Sequence, residues 1–469
     1  MKKHHKLAQE LLTKLGQEHV LRFVDRLDAA QQDALFAQIA SLDAHTLSRM
    51  RKTLEQRSDT ALHDELPEPA PVISLSAAER IAALSRGEEL LAAGMVGVVL
   101  VAGGQGSRLG FDGPKGVYAV GPLSGASLFE IHARKILALE NKYRISIPLY
   151  IMTSAANDAA TRAFFEKHNY FGRDRANTVF FSQGMWPALT KDGRLILDAP
   201  GHIFESPDGH GGLLAALKKH ALFEDMRQRG VTTLFYFQVD NPLVNVADPV
   251  FLGVHAGNFS EFSIKVCAKR DADEGLGNVV LQESGSRRML EYSELTVAQK
   301  SACDESGRLR YYFGSPAIHV FDRVFMEQQA EQDLPLHVAN KKVPYCDEAG
   351  RLVQPDTPNA CKFEKFIFDV LPRAQRSVSL EFDRADEFSP LKNASGTDSA
   401  ETCRRDMLLK WARWLEECGI KVPRHEDGAP AVALEIDPCY ALGPEDLMAN
   451  LPSGFTISGD TLLSAETAG

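Results

Sequence analysis

Leu100-Val-Ala-Gly-Gly-Gln-Gly-Ser-Arg-Leu-Gly-Phe-Asp-Gly-Pro-Lys-Gly116 begins where an apolar run, Gly97 to Val101, reads as a buried strand. Glycines at Gly103, Gly104, Gly106 and Gly110 remove side chains that would hold a phosphate off the backbone, so several N–H groups can converge on it. Arg108 and Lys115 add the full charges that peptide dipoles lack. A dinucleotide fingerprint needs G-x-G-x-x-G, and an ATPase loop needs Gly-Lys followed by Ser or Thr. From Gly104 the spacing is G-x-G-x-x-x-G, one residue too long, and Lys115 lies between Pro114 and Gly116. Neither pattern fits, and an NAD-linked oxidoreductase fails on the same spacing. A plain turn would account neither for two cations nor for a place after a buried strand, where open α/β sheets hold their ligands.

Downstream, short apolar runs (Ile147 to Met152, Thr178 to Phe181, Leu234 to Val239) alternate with helical stretches (Leu128 to Leu139, Ala159 to His168, Leu213 to Met226). That alternation predicts an α/β fold with a doubly wound parallel sheet and the glycine loop at its carboxyl edge. Ser263 to Ala268 and Val279 to Glu283, with turns rich in Gly and Ser, predict an antiparallel subdomain against that edge. Upstream, Leu7, Leu11, Leu15, Val20, Phe23, Val24, Leu27, Leu35, Phe36 and Ile39 recur at helical spacing and predict a helical layer from Leu7 to Arg57. Glu65-Leu-Pro-Glu-Pro-Ala-Pro71 reads as an extended linker, and Ser76 with Glu79 as a capping box that restarts the helix. Near the end, Glu401 to Cys418 reads as a helix carrying Trp411 and Trp414, followed by a tail punctuated by Gly and Pro. The expected division is an N-terminal helical region (1–94), a catalytic domain (95–395) and a small C-terminal domain (396–469).

Composition narrows the partners. The 469 residues carry 52 Lys and Arg against 63 Asp and Glu, a formal charge of -11, which argues against nucleic acid or an anionic membrane as the general partner. Anionic small substrates must then be met by local charge. Met1-Lys-Lys-His-His-Lys6 is basic, but Leu7 to Leu15 interleaves polar residues, so no signal-peptide core is expected, and no apolar run is long enough to span a bilayer. Seven cysteines, an odd number without a C-x-x-C pair, suit a reducing, cytoplasmic setting. His4-His5 reads as a solvated end rather than a zinc site.

The loop from Leu100 to Gly116 resembles the signature of the UTP:sugar-1-phosphate uridylyltransferases, nearest to the UDP-N-acetylhexosamine pyrophosphorylases. Further blocks follow in family order: Phe181-Ser-Gln-Gly-Met185, Pro207-Asp-Gly-His-Gly-Gly212, Val239-Asp-Asn241, Glu291-Tyr-Ser-Glu294, Lys362-Phe-Glu-Lys-Phe-Ile-Phe-Asp369 and Asp386-Glu-Phe-Ser-Pro-Leu-Lys-Asn393. Outside them, Gly16-Gln-Glu-His-Val-Leu-Arg-Phe23 and Glu435-Ile-Asp-Pro438 are similar to family segments too. The resemblance implies a Rossmann-like, GT-A-like nucleotidyltransferase with a mixed sheet. Its reaction would be attack of a hexose 1-phosphate on the α-phosphorus of UTP, yielding a UDP-sugar and pyrophosphate. Such an enzyme needs no nucleophile of its own; it must hold two anions in line and neutralise them.

On that resemblance Arg108, Lys115 and Lys392 bind phosphates and Asp240, at the end of an apolar run, holds Mg²⁺. The glycines Gly103, Gly104, Gly106 and Gly209 approach the nucleotide, and Gln183 reads uracil through its amide. His210, Glu291, Gly314, Ser315, Phe366 and Phe368 face the sugar, the two Phe alternating on one strand face. His210 and Ser315 stand where the acetylhexosamine branch has Asn, and a His at the first position resembles the glucose 1-phosphate branch. N-acetylglucosamine 1-phosphate is thus the expected substrate, with glucose 1-phosphate as the alternative. A non-catalytic nucleotide-sugar-binding protein would be expected to have lost charge from the loop or the metal Asp; Arg108, Lys115, Asp240 and Lys392 are all present.

Overall fold

A computed structural model describes residues 2–56 and 66–465. The expected helix end at Arg57, the linker's first residue Glu65 and the side chain of His4 lie outside what is described. Contacts divide the chain into two compact units, one of 1–64, 183–213 and 333–369, the other of 65–182, 214–332 and 370–469. Spatial grouping therefore does not follow chain order.

The second unit is built on an eight-stranded mixed sheet. Its strands are β1 (Val96–Val101), β2 (Leu149–Thr153), β3 (Thr178–Ser182), β4 (Thr233–Gln238), β5 (Phe262–Ala268), β6 (Phe313–Gly314), β7 (His319–Asp322) and β8 (Ser377–Glu381). The order is β6-β5-β7-β4-β1-β2-β3, with β8 pairing β5. Strands β3, β2, β1 and β4 are mutually parallel. β7 runs antiparallel to both β4 and β5, and β8 parallel to β5. The chain moves outward from β1 to β3 and returns to β4 on β1's other side, so the order reverses between β1 and β4. At that switch the carboxyl ends of two neighbouring strands open a crevice.

Burial explains the strands. Every residue of β2 is buried, and Val96, Val98, Val99 and Leu100 of β1 are all but inaccessible, as in sheets covered on both faces. Two expectations change here. Ser263 to Ala268 is not part of a separate antiparallel subdomain: β5 is buried along Phe262 to Cys267 and lies inside the main sheet. Only Asn278–Leu281 behaves as expected, pairing antiparallel with Arg287–Leu290. The run Leu213 to Met226 forms two helices, Leu213–Lys219 and Leu222–Gln228, because Ala221 between them takes φ +54° and breaks the hydrogen-bond ladder.

Helix Ala77–Ala92, capped reciprocally by Ser76 and Glu79, crosses helix Pro249–Gly257 at glycine contacts. A Cβ on Gly87 would lie 1.7 Å from the Pro249 carbonyl, and one on Gly253 1.7 Å from that of Ala83. Near the C terminus helix Ala400–Glu417 and the parallel pair Leu434–Ile436 with Thr461–Leu463 belong to the same unit. Glu435 fastens the turn beyond the glycine loop, accepting from the backbone N–H of Leu123 (2.7 Å) and Ser124 (2.8 Å).

In the first unit, helices Lys2–Leu15, Ala29–Ser41 and Ala44–Gln56 close over short hairpins. Leu12, Val20, Phe23, Leu35, Ile39 and Met50 share one apolar core with Leu189, Ile203 and Phe363. Gln17 fixes the register, donating to the Gly193 carbonyl and accepting from the Leu195 amide.

Candidate functional site

The glycine loop leaves β1 and folds back on itself: Gly106 N–H donates to the Gly113 carbonyl and Lys115 N–H to that of Gly104. Its glycines serve different ends. A Cβ on Gly106 would press to 2.7 Å from the Phe111 ring, one on Gly116 to 2.2 Å from Phe129, and Gly110 adopts φ +68°. Those positions are dictated by packing and turn geometry. Gly104 alone among these four combines open space within 4 Å and exposure with an ordinary φ. Among the described residues the amides of Gly103 and Gly104 donate to no protein group, while the Asn157 side chain holds the carbonyls of Ala102 (2.9 Å) and Gly104 (3.3 Å). Fixing carbonyls from behind leaves amides presented in front, as an anion requires.

Asp240 follows β4 by two residues, so its carboxylate emerges beside this loop. Lys115 Nζ lies 3.5 Å from Asp240 Oδ2, the side chains 18% and 15% exposed. A pair this long, mostly covered yet still touched by water, is a loose contact rather than a tight buried bridge. Leu391 N–H binds the Asp240 carbonyl at 2.8 Å, which brings the neighbouring Lys392 to the same strand end. The ammonium of Lys392 and the guanidinium of Arg108 make no ion pair among the described residues. Lys115, Asp240, Lys392 and the glycine loop are thus assembled at the switch.

Sequence reading missed what holds this strand end. Lys135 Nζ donates to the carbonyls of Pro242 (2.5 Å) and Val244 (2.7 Å), and Lys410 Nζ to that of Leu243 (3.3 Å) and to Asn245 Oδ1 (3.2 Å). Asn241 donates to the Glu387 carbonyl at 2.6 Å, and His132 binds the Val239 carbonyl at 3.0 Å. Glu387 in turn pairs with Lys265, which also meets Asp248 at 2.7 Å. Burial holds Lys410 down to about 8 and Lys135 well below its usual range, with Lys410's charge adding to the latter. Burial opposes charge on Lys265 as well, but Asp248 and Glu387 outweigh it and raise its pKa. Lysines on helices look solvated in sequence; no periodicity distinguishes one aimed at carbonyls.

Three sugar candidates meet elsewhere in this unit. Ser315 N–H binds the Gly277 carbonyl at 2.8 Å, and a Cβ on Gly277 would lie 2.9 Å from Glu291 Oε1. Gly314 has no room for a side chain, a Cβ standing 2.5 Å from that of Leu276. Glu291 and Glu294 form a reciprocal cap over Tyr292–Glu294, an internal reason for the Glu-Tyr-Ser-Glu spacing.

The other candidates lie in the first unit. Gln183 is half-buried just past β3. Gly209 takes φ +83° with a would-be Cβ 2.4 Å from the Lys365 carbonyl, and a Cβ on Gly212 would fall 2.0 Å from Asp208 Oδ1. These glycines are forced by their neighbours. His210 stacks on Phe366 (centroids 5.2 Å, 16°) and lies 5.4 Å from Phe368. Phe366 and Phe368 do not alternate on a strand: the strand is Ala360–Glu364, Phe366 follows in a loop and Phe368 sits in the turn Ile367–Arg373. They converge through His210 instead. His210 Nδ1 accepts from Ile367 N–H at 3.3 Å, which leaves the proton on Nε2; burial and then His337 depress its pKa to about 4. Asp208, 3.8 Å from Lys365, was also missed as an individual residue; burial raises it to about 6, and burial lowers Lys365.

The family model described as UTP–glucose-1-phosphate uridylyltransferase matches residues 47–428. A Homo sapiens relative, UDP-N-acetylhexosamine pyrophosphorylase-like protein 1, is 37% identical over 93% of this chain and 92% of its own. UDP-N-acetylglucosamine pyrophosphorylase of Saccharomyces cerevisiae is 37% identical over 80% of each chain. Among solved structures, the uridine diphosphate N-acetylglucosamine pyrophosphorylase of Trypanosoma brucei, in complex with inhibitor, superposes with TM-score 0.82 at 26% identity over 99% of both chains. No helix among the described residues is long and apolar enough to cross a membrane.

Proposed function

This chain belongs to the UTP–glucose-1-phosphate uridylyltransferase family, and on that premise we propose that it joins UTP and N-acetylglucosamine 1-phosphate into UDP-N-acetylglucosamine, releasing pyrophosphate. The observation that carries the reading is the 3.5 Å Lys115–Asp240 pair at the β1/β4 switch beside the unpaired amides of Gly103 and Gly104. A cation, bare amides and a carboxylate in one crevice are what a phosphate chain with its counter-ion asks of a protein.

The amides of Gly103 and Gly104 bind phosphate oxygens of UTP, and Lys115 and Arg108 neutralise charge as pyrophosphate leaves. Lys392 meets the incoming phosphate. The donor set at Asp240 fits Mg²⁺: one partly exposed carboxylate, engaged only by Lys115 among the described residues, suits an ion that keeps waters and shares substrate oxygens. Bound Mg²⁺ would supply charge neutralisation between the phosphates. Gln183 is the proposed uracil partner, Gly106 and Gly209 shape the backbone that nucleotide approaches, and His210, Glu291, Gly314, Ser315, Phe366 and Phe368 are the proposed sugar set. The substrates are small molecules, and free cysteines at all seven positions suit a cytoplasmic setting.

A second reading, glucose 1-phosphate, is favoured by His210, an imidazole where the acetylhexosamine branch has an Asn amide. Pyrophosphate release from UTP and Mg²⁺, measured with each sugar phosphate in turn, separates the readings. Turnover tenfold or more in favour of the acetylated sugar supports the first, comparable turnover the second, and none with either sinks both.

A further inference from the structure

Far from the glycine loop, a polar cavity of about 300 Å³ opens among the turn after helix Pro249–Gly257, the hairpin end at Gly285 and the segment entering β8. Ser260, Ser286, Arg287, Gln375 and Arg376 line it, and no carboxylate does. β5 runs parallel to β4, since both are antiparallel to β7. The amino ends of β5 and β8, where the cavity lies, are therefore at the sheet edge opposite the glycine loop. A strand of this length separates the two by about 20 Å.

Two orphan polar groups converge there. Nη1 of Arg287 is buried without a hydrogen-bond partner, and so is the hydroxyl of Ser260. Among the described residues Arg287 forms no ion pair, and burial lowers its pKa. Arg376 spends only Nε on the protein, donating to the Phe259 carbonyl at 2.5 Å. Glu261, the acid of this corner, accepts from the Gln375 amide at 2.6 Å and does not line the cavity. A buried guanidinium nitrogen left without a partner is costly, and natural proteins rarely leave one so. Its fork matches a tetrahedral oxyanion, which serine hydroxyls and a second arginine complete.

We propose that this cavity is a second anion site, taking a phosphate group held by Arg287, Arg376 and Ser260, independent of the nucleotide crevice. The phosphate comes free or as a small phosphomonoester. The inference does not rest on the proposed reaction and stands or falls apart from it.

Equilibrium dialysis of the full chain with labelled inorganic phosphate, for wild type, Arg287→Met, Arg287→Lys and Lys115→Ala, tests it. With the nucleotide crevice filled by excess UTP, wild type is expected to bind one phosphate per chain, which Lys115→Ala retains and whose affinity falls at least tenfold in Arg287→Met and Arg287→Lys. Competition by glycerol 3-phosphate below the inorganic phosphate constant identifies a monoester as the ligand; weaker competition identifies free phosphate. Arg287→Met is expected to keep wild-type turnover, which doubles as its folding check. Should it misfold, Arg287→Lys and a selenate anomalous peak in wild-type crystals decide. Unchanged phosphate binding in the Arg287 variants, or no selenate in the cavity, overturns the proposal.

Discussion

Two glycine-rich blocks of this molecule look alike in sequence and differ in physics. Around Gly104 a side chain would meet empty space, amides stand unpaired, and the nearby charges Lys115 and Asp240 are still partly reached by water. Around Gly212 a side chain would collide with Asp208 at 2.0 Å, and burial presses both Asp208 and Lys365 toward their neutral forms. The first arrangement keeps capacity for a ligand; the second has consumed it in packing. A glycine whose space is still vacant can admit a ligand atom there, whereas a walled-in glycine acts only through the backbone path it permits.

The sharpest break of that contrast is Asp240→Ala, expected to lower turnover about a thousandfold or more, while urea unfolding shifts by no more than about 1 kcal/mol. Loss of stability on that scale of turnover would make Asp240 structural. Lys115→Ala follows, with turnover down about a hundredfold, equivalent to about 2.7 kcal/mol, and an unchanged melting temperature. In the other block Gly212→Ala should cost about 2 kcal/mol or more in unfolding free energy, because the atoms it meets belong to a buried carboxylate without room to retreat.

Acidity sharpens the comparison further. Asp208, raised to about 6, binds its proton more readily folded than unfolded, so its contribution is favourable at low pH and lost as pH rises from about 4 to 6. His210, lowered to about 4, does the reverse: its contribution is complete above about 6.5 and lost as pH falls toward 4. The two offset each other in wild type. Asp208→Asn removes one side, and its unfolding free energy should fall with acid below pH 6.5 by up to about 1.4 kcal/mol per unit more steeply than wild type. Parallel slopes would show that Asp208 stays ionised. Smallest of all is Gly104→Ala, expected to alter unfolding by less than about 0.5 kcal/mol while weakening UTP binding, a split that calorimetry on the two equilibria would resolve.

Much of this was legible in the chain. Apolar runs alternating with helical spacing announced the parallel core, because a strand covered on both faces must be apolar throughout. Ser76 and Glu79 announced their own cap, being local. The glycine loop after β1 was legible as a loop, and it carries Arg108 and Lys115, cations that no packing argument needs. What misled was range: the run at Phe262 is apolar like a subdomain strand, and only its pairing with β7 and β8 makes it central. Phe366 and Phe368 have strand spacing, yet the ladder ends at Glu364.

By itself the sequence determined local facts: most of the helices and strands, their caps, and a glycine loop with two cations that follows a buried strand. Only the tertiary structure decided that Asp240 and Lys115 meet, that Lys135, Lys410 and Glu387 hold the strand end beneath them, and that one glycine is free while another is walled in. Those are properties of empty space and, for the Lys115, Lys135, Lys410 and Glu387 contacts, of distances between residues more than a hundred positions apart. Periodicity reports the neighbours along a chain; burial, pairing and vacancy arise when remote segments close around one another.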